Sequence, residues 1–173
     1  GHQLFSVYDT DLAKSSHFAN RLTSLDSIDS PTIFTMLPND NALEQTFMET
    51  KLFHRITKNS LIVDFSTTSP LLSRRLSAEA LKYGHTFVDS PVSGGVEAAR
   101  NGTLSLLMGC EEAEIESIKP ILRCISTNQI YLQSRGNGCV AKICNNFVLM
   151  SCMITTCEAI AASAKNGVDP ALF

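Results

Sequence analysis

The chain has 173 residues, of which 44% are hydrophobic and 18% are charged, and this composition excludes a globally disordered protein. Its 17 acidic and 14 basic residues give a net charge of −3, which argues against nucleic-acid binding. The sequence has no unbroken run of about 18 apolar residues, so we expect no membrane-spanning segment. Its length allows one ordinary domain, or one domain and part of a second.

Both ends of the chain suggest that it is part of a longer protein. The first residue is Gly1, and the residues after it lack the basic and apolar regions of a signal peptide. The last residues, 169–173, are typical of the first turn of another helix. We therefore expect a fragment that is cut at both ends.

Strand and helix patterns alternate along most of the chain. Strands are predicted at residues 4–8, 32–37, 61–65, 85–89, 104–108 and 129–132. Helices are predicted between them at residues 11–22, 41–55, 70–83 and 111–125. This alternation predicts an α/β fold with a mainly parallel sheet.

The sequence pattern changes after residue 135. Residues 139–166 show no strand pattern and end at Asn166 and Gly167, which are typical of a helix C-terminus. The apolar residues of this long predicted helix lie on all of its sides, so neighbours from outside the chain should cover it. We place a domain boundary there, between residues 1–135 and 136–173.

The six cysteines include no C-x-x-C pair, and the four histidines do not cluster with them. We therefore expect no metal site. Unpaired cysteines that are suited to apolar packing favour a reducing compartment.

Several polar residues follow predicted strands, where a parallel α/β sheet binds its ligands. Asp9, Pro38, Thr67 and Ser93 all fall at such positions. Asp9 is suited to binding the two hydroxyls of an adenosine ribose, although aspartate is also a common turn residue.

A glycine-containing loop is predicted at residues 89–102, with the sequence DSPVSGGVEAARNG. The backbone of Gly94 and Gly95, together with the Ser93 hydroxyl, can surround a small carboxylate. A tight turn that requires glycine explains the same pattern, and the residues alone do not separate the two interpretations.

Lys142 lies near the start of the long predicted helix, with Asn145 and Asn146 on the same face. A partly buried lysine can act as a general base. The alternative is a lysine whose stem covers apolar surface while its ammonium group reaches water.

Taken together and in this order, these residues resemble the β-hydroxyacid dehydrogenases. The similar segments are TMLP (35–38), DFSTTSP (64–70), DSPVSGGVEAARNGTL (89–104) and GNGCVAKICNNFVLMSCMITTCEA (136–159). VSGGVEAARNG together with AKICNN points to the hydroxyisobutyrate branch. The resemblance implies an incomplete, N-terminally truncated Rossmann-like dinucleotide-binding domain over residues 1–135. A long helix that begins an all-α domain would then occupy residues 136–173.

The resemblance also implies a role for each site residue. Lys142 would be the catalytic acid and base, and Asn146 would orient the substrate. The substrate-binding residues would be Ser93, Gly94, Gly95 and Asn145. The cofactor-binding residues would be Asp9, Leu37, Pro38, Asn41 and Thr67. The acidic residues around Asp9 would repel a 2′-phosphate, which favours NAD over NADP.

The implied reaction is the NAD-dependent oxidation of 3-hydroxyisobutyrate to methylmalonate semialdehyde, a step of valine catabolism. The enzyme would be a homo-oligomer when complete. It would lie in the mitochondrial matrix of a eukaryote, or otherwise in the cytoplasm. Its substrate would be a small hydroxy acid, with no metal, nucleic acid or membrane involved.

The chain departs from the family pattern at the cofactor-binding turn, and two alternative functions stay open. The G-x-G-x-x-G turn that holds the pyrophosphate is not among these residues, so we expect the 173-residue chain alone to be inactive. One alternative is a glyoxylate or succinic semialdehyde reductase of the same superfamily. The other is a degenerate, non-catalytic fragment.

Overall fold

The computed structural model describes residues 4–173, and its strands form two three-stranded sheets. In the first sheet all three strands are parallel, in the order β1-β2-β3, and in the second the order is β4-β5-β6. The strands are β1 (Thr32–Thr35), β2 (Leu61–Asp64), β3 (Thr86–Asp89), β4 (Val92–Ser93), β5 (Leu104–Met108) and β6 (Ser126–Tyr131). The α-helices are α1 (Leu12–Ser15), α2 (Asp40–Glu44), α3 (Leu52–Arg55), α4 (Pro70–Lys82), α5 (Gly95–Asn101), α6 (Lys119–Leu122) and α7 (Asn137–Lys165).

The two sheets are joined where β3 leads into β4. The Gly109 amide donates to the Asp89 carbonyl over 2.8 Å, and the Leu107 amide donates to the Pro91 carbonyl over 3.0 Å. These bonds continue the antiparallel pairing of β4 with β5, while β5 and β6 are parallel. The predicted α/β fold with a mainly parallel sheet is confirmed.

The core has two parts, one on each face of the first sheet. Ile62 and Phe87 pack with Leu76 of α4 in one cluster. Val63 and Val88, the next residues along β2 and β3, lie in the other cluster, which also contains residues of β5. Neighbouring strand residues point to opposite faces, so strands buried on both faces carry runs of apolar residues.

The prediction of a strand at residues 4–8 is wrong, because no strand forms within residues 4–31 in the structure. Residues 4–8 make only an isolated bridge, in which the Val7 amide donates to the Arg21 carbonyl over 2.8 Å. The predicted helix 11–22 is reduced to α1 and the 3-10 helix Ser16–Arg21. A strand needs a neighbouring strand to pair with, and Val7 finds only the single bridge to Leu22.

Three other elements differ from the prediction. The helix expected at 41–55 is split into α2, a π-turn (Gln45–Glu49) and α3, because Lys51 adopts a left-handed φ of 55°. The helix expected at 111–125 is a 3-10 helix (Glu112–Ile118) followed by α6. The loop expected at 89–102 contains β4 and α5, which sequence analysis missed.

Helices α4 and α7 lie close to their predicted positions. Ser69 caps α4, since its hydroxyl accepts a hydrogen bond from the Leu72 amide, as the sequence predicts. Helix α7 has only Gly138 and Cys139 buried. Its other apolar residues include the exposed Val140, Ile143, Phe147, Val148, Leu149, Met150, Met153, Ile154 and Ile160.

By length and composition α7 can cross a membrane, with a mean hydropathy of 1.6 in its most apolar window. A hydropathy average over 18 residues therefore selects α7 as a candidate span, although the sequence has no unbroken apolar run of that length. Scattered polar residues such as Asn145, Ser151 and Thr155 interrupt the apolar run without lowering the average enough. The core helix of a soluble protein meets the same criterion, so the hydropathy of α7 identifies no membrane protein by itself.

Candidate functional site

Two hydrogen bonds join the loops that follow β1 and β2. The Leu37 amide donates to the Ser66 hydroxyl over 2.8 Å, and the Ser69 amide donates to the Asp40 carboxylate over 2.9 Å. Residues 37–41 and 66–69 therefore form one surface, which we call the strand-end wall. It brings together four of the residues predicted to bind the cofactor: Leu37, Pro38, Asn41 and Thr67.

The buried carboxyl group of Asp64 supports the strand-end wall from below. Its Oδ1 accepts hydrogen bonds from the Thr35 hydroxyl over 2.7 Å and from the Ser66 hydroxyl over 2.6 Å. Its Oδ2 is buried without a hydrogen-bond partner in the described part of the chain. Burial raises the pKa of Asp64 above its ordinary value, and the hydrogen bonds from Ser66 and Thr35 partly oppose this effect.

The strand-end wall offers groups that suit a dinucleotide. Pro38, Asn41 and Thr67 are exposed, and Leu37 is half-buried, so apolar, amide and hydroxyl groups all face outward at this edge. Ligands of parallel α/β sheets bind beyond the carboxyl ends of the strands, which is where this wall lies. These residues fit one side of an NAD site.

The hydrogen bond made by Asp9 is local and does not involve this wall. Its Oδ1 accepts a hydrogen bond from the Asp11 amide over 2.8 Å, which is a local turn. Among residues 4–173 no hydrogen bond connects Asp9 with the strand-end wall. The turn interpretation therefore accounts for Asp9 here, and a role in ribose binding stays a prediction.

Ser93, Gly94 and Gly95 form the turn between β4 and α5. Gly94 has a φ of 128°, and a side chain there would lie 2.5 Å from the Ala98 Cβ, so only glycine fits. Gly95 has a φ of 70° and open space around it. The geometry of the turn therefore explains why glycine is required at position 94. Gly94 and Gly95 are both exposed, and Ser93 beside them is half-buried.

The first turn of α7 is bound to the end of β3. The Gly136 amide donates to Asp89 Oδ1 over 2.7 Å, and the Cys139 amide donates to Asp89 Oδ2 over 3.0 Å. The Cys139 thiol also lies 3.8 Å from the Thr68 hydroxyl, next to Thr67 of the strand-end wall. The beginning of α7 therefore lies against the ends of both β2 and β3.

Lys142 and Asn146 follow on α7 and are half-buried, whereas Asn145 is exposed. The ammonium group of Lys142 makes no hydrogen bond or ion pair with another described residue, so it is available to a ligand. No side-chain hydrogen bond joins Lys142 to Ser93 within residues 4–173.

The start of α7 also contains a G-x-G-x-x-A pattern, from Gly136 to Ala141, which is separated from the end of strand β6 by four residues. Such a pattern between a strand and a helix commonly holds the phosphates of a dinucleotide. Here the amides of Gly136 and Cys139 already bind the Asp89 carboxylate. A dinucleotide phosphate is therefore excluded from this helix terminus.

Two open clefts of about 500 and 550 Å³ flank α4. The first lies between Asp40, Glu44 and Arg75, and the second between Arg74, His85 and Arg135. Neither contains a residue that the sequence predicts to bind substrate or cofactor. Within residues 4–173 the histidines, cysteines and acidic residues form no group suited to a metal ion.

Sequence analysis missed Asp64 and Asp89, the two buried carboxyl groups beneath the site. Both follow three mostly apolar residues at the end of a strand, in LIVD and TFVD. An acidic residue that ends a buried strand was the available signal, because it must find hydrogen-bond donors at the sheet edge.

A profile of the NAD-binding domain of 6-phosphogluconate dehydrogenase matches residues 6–140. The chain belongs to this family. The match ends within the first turns of α7, and it covers the strand-end wall and Ser93. The sequence-based prediction of a Rossmann-like NAD-binding domain is thereby confirmed.

Individual relatives confirm the resemblance to the hydroxyisobutyrate branch. The chain is 41% identical over 142 residues to the mitochondrial 3-hydroxyisobutyrate dehydrogenase of Bos taurus, covering 82% of this chain and 42% of that protein. It is 38% identical over 142 residues to the 3-hydroxyisobutyrate dehydrogenase of Pseudomonas aeruginosa, covering 82% of this chain and 48% of that one. The chain thus spans less than half the length of these two relatives.

A solved structure of 3-hydroxyisobutyrate dehydrogenase from Mycobacterium tuberculosis with L-serine aligns with a TM-score of 0.83. It is 27% identical and covers 93% of this chain and 57% of that one. An oxidoreductase from Mycobacterium avium aligns with a TM-score of 0.88 at 23% identity, covering 96% of this chain and 61% of that one, and this supports the fold alone.

Proposed function

We propose that this chain carries the substrate and nicotinamide side of an NAD-dependent hydroxyacid dehydrogenase. The observation that supports this most strongly is the attachment of α7 to the ends of β2 and β3 through Cys139. It places the helix that bears Lys142 beside the strand-end wall, at the edge where this family binds its cofactor.

Each residue has a defined task in this proposal. The amides and hydroxyl of residues 93–95 bind the substrate carboxylate, and Asn145 and Asn146 orient its hydroxyl group. Lys142 removes the proton of that hydroxyl and stabilises the developing alkoxide by its charge. Leu37, Pro38, Asn41 and Thr67 hold NAD, with Asp9 at the adenosine ribose. When bound, NAD accepts the hydride from the carbinol carbon.

We infer that the substrate is 3-hydroxyisobutyrate and the product methylmalonate semialdehyde, as in valine catabolism. The names of the bovine and bacterial relatives support this choice. The mycobacterial structure with L-serine supports the wider class, because serine is also a 3-hydroxycarboxylate. NAD is preferred over NADP because Asp9 and Asp11 would repel a 2′-phosphate.

The remaining assignments follow from the same proposal. Residues 1–135 are the dinucleotide-binding unit, and residues 136–173 begin an all-α unit that covers the exposed side of α7. A second subunit completes that cover. The mitochondrial names of the animal relatives support the mitochondrial matrix for a eukaryotic source.

The proposal is tested by following NADH formation from NAD and 3-hydroxyisobutyrate. The assay compares the 173-residue chain with the product of its complete transcript. We expect turnover from the product of the complete transcript and none from the 173-residue chain, in which no G-x-G-x-x-G turn is present. Lys142→Ala should lower kcat by about 10²–10⁴-fold, the usual contribution of a general base.

Lys165→Ala is the matched control, because this lysine lies at the opposite end of the same helix. It should leave kcat unchanged. Full activity of Lys142→Ala would contradict the assignment of the base. No turnover from either protein would favour the non-catalytic alternative, and faster reduction of glyoxylate or succinic semialdehyde would favour the reductase.

A further inference from the structure

We propose that Asp89 is a positioning residue whose carboxylate sets the place of Lys142 relative to the segment that carries Ser93. The effect of Asp89 on catalysis rests on the proposed function of Lys142, whereas the contacts between Asp89 and α7 do not. Asp89 ends β3, and it lies fully buried between that strand and the first turn of α7.

Three hydrogen bonds converge on Asp89. Its two carboxylate oxygens accept from the amides of Gly136 and Cys139, over 2.7 and 3.0 Å, and its carbonyl accepts from the Gly109 amide over 2.8 Å. Amides at the beginning of a helix have no partner within the helix. A negative group is also favoured there by the helix dipole. Asp89 therefore holds the start of α7 by both hydrogen bonds and charge.

Two glycines make room for this carboxylate. A side chain at Gly138 would lie 2.2 Å from the Leu107 carbonyl and 2.9 Å from Asp89 Oδ2. A side chain at Gly109 would lie 2.3 Å from Asp89 Oδ1. The space around the Asp89 carboxylate is thus closed on both sides, and neither glycine can gain a side chain without displacing a neighbour.

Asp89 is close in sequence to both halves of the candidate site. Lys142 follows Cys139 by three residues, a rise of about 4.5 Å along a helix. Ser93 follows Asp89 by four residues, at most about 13 Å along an extended chain. One side chain therefore determines how the base approaches the carboxylate-binding turn. Misplacement by about 1 Å at such a site can lower a reaction rate about 100-fold.

Asp64 provides a matched control for a merely structural role. It occupies the same register position on β2 that Asp89 occupies on β3, and it is equally buried. Its carboxyl group bonds to Thr35 and Ser66, and no hydrogen bond joins it to α7 in the described part of the chain. Asp64→Asn therefore perturbs a buried strand-end carboxyl group without releasing the helix.

The experiment compares Asp89→Asn with Asp64→Asn in the 173-residue chain by nuclear magnetic resonance. Asparagine offers one acceptor oxygen in place of two, so one of the Gly136 and Cys139 amides should exchange at least about tenfold faster. The signal of isotopically dimethylated Lys142, assigned with Lys142→Arg, should change position. In Asp64→Asn both the exchange rates at residues 136–139 and the Lys142 signal should stay as in the wild type.

Equal responses of the two variants at residues 136–142 would overturn the proposal, as would unchanged exchange in Asp89→Asn. If Asp89→Asn does not fold, the test uses amide exchange in the wild-type chain. There the Gly136 and Cys139 amides must exchange slowly, and rapid exchange of both would show that Asp89 does not hold α7. These measurements need neither NAD nor substrate. Failure of this proposal would therefore appear in amide exchange and chemical shifts, whereas failure of the proposed function would appear as full turnover by Lys142→Ala.

Discussion

The two ends of α7 differ in burial: the start of the helix packs against the rest of the chain, and the remainder exposes apolar side chains. At the start of the helix Gly138 and Cys139 are buried beside β3 and β5. Further along, large apolar residues such as Phe147, Met150 and Ile154 are exposed. In the core cluster beside the first sheet, by contrast, apolar residues of the same size are buried, as Phe47 and Phe87 show.

The difference shows that the attachment of α7 and its apolar surface serve different purposes. The attachment uses backbone amides, two glycines and one carboxylate, so it fixes position with little apolar contact. The exposed apolar surface contributes nothing to holding the helix against the sheet. A contiguous apolar surface of this kind is typical of a site for protein association.

The largest expected effect contrasts two phenylalanines. Phe47 is 1% exposed and stacks on Phe53, whereas Phe147 is 74% exposed. Phe47→Ala should lower the free energy of unfolding by about 3–5 kcal/mol. Phe147→Ala should change it by about 0.5 kcal/mol or less. Urea unfolding measures both, and a large loss in Phe147→Ala would show that the far part of α7 is packed.

The attachment itself is tested by Gly138→Ala. The added Cβ would lie 2.2 Å from the Leu107 carbonyl, so either α7 or β5 must move. We expect a loss of about 3 kcal/mol, as is typical of overpacking. Gly167→Ala is the control: it has a φ of 82° but open space, so about 1 kcal/mol is expected. Equal losses would contradict the close approach at Gly138.

The buried carboxyl group of Asp64 should make the stability of the chain depend on pH. Burial raises the pKa of Asp64 in the folded state, so the folded chain holds this proton more tightly than the unfolded chain does. Stability should therefore fall as pH rises from the ordinary aspartate pKa of about 3.9 to the raised value. Asp64→Asn should remove this slope. A slope that persists in Asp64→Asn would assign the titration to another group.

Thiol reactivity compares the two parts of α7 with the smallest disturbance. Burial raises the pKa of Cys139, at the attached end, and of Cys110 to about 12. Cys144, Cys152 and Cys157 are exposed on the same helix. An aromatic disulfide reagent should modify these three before Cys139. Rapid reaction of Cys139 would show that the attachment opens readily.

The sequence predicted the parts of the fold that are governed by local patterns. Apolar runs placed β1, β2, β3 and β5, and Ser69 with Pro70 placed the start of α4, because each signal is local. The strand predicted at residues 4–8 does not form, because an isolated apolar run becomes a strand only when a partner strand lies beside it. Helix α5 was missed because glycines at its start suggested a loop.

In the candidate site, too, local sequence patterns predicted some features, whereas others depend on contacts between residues distant in sequence. The rule that ligands bind beyond parallel strands placed Pro38 and Thr67 at the sheet edge, whereas Leu37 and Asn41 were suggested only by the family resemblance. The roles of Asp64 and Asp89 depend on amides distant in sequence, and no spacing pattern reveals such contacts. Asp9 was placed by an expected strand that the structure does not contain.

The most direct test of the central claim is a titration of the labelled 173-residue chain with NAD, followed by amide chemical shifts. We expect weak binding, with a Kd in the millimolar range, because only part of the cofactor site is present. The shifts should be confined to the strand-end wall and the first turns of α7, including Leu37, Asn41, Thr67 and Lys142. Shifts centred on the cleft between Arg74, His85 and Arg135, or no shifts at about 10 mM NAD, would contradict the account.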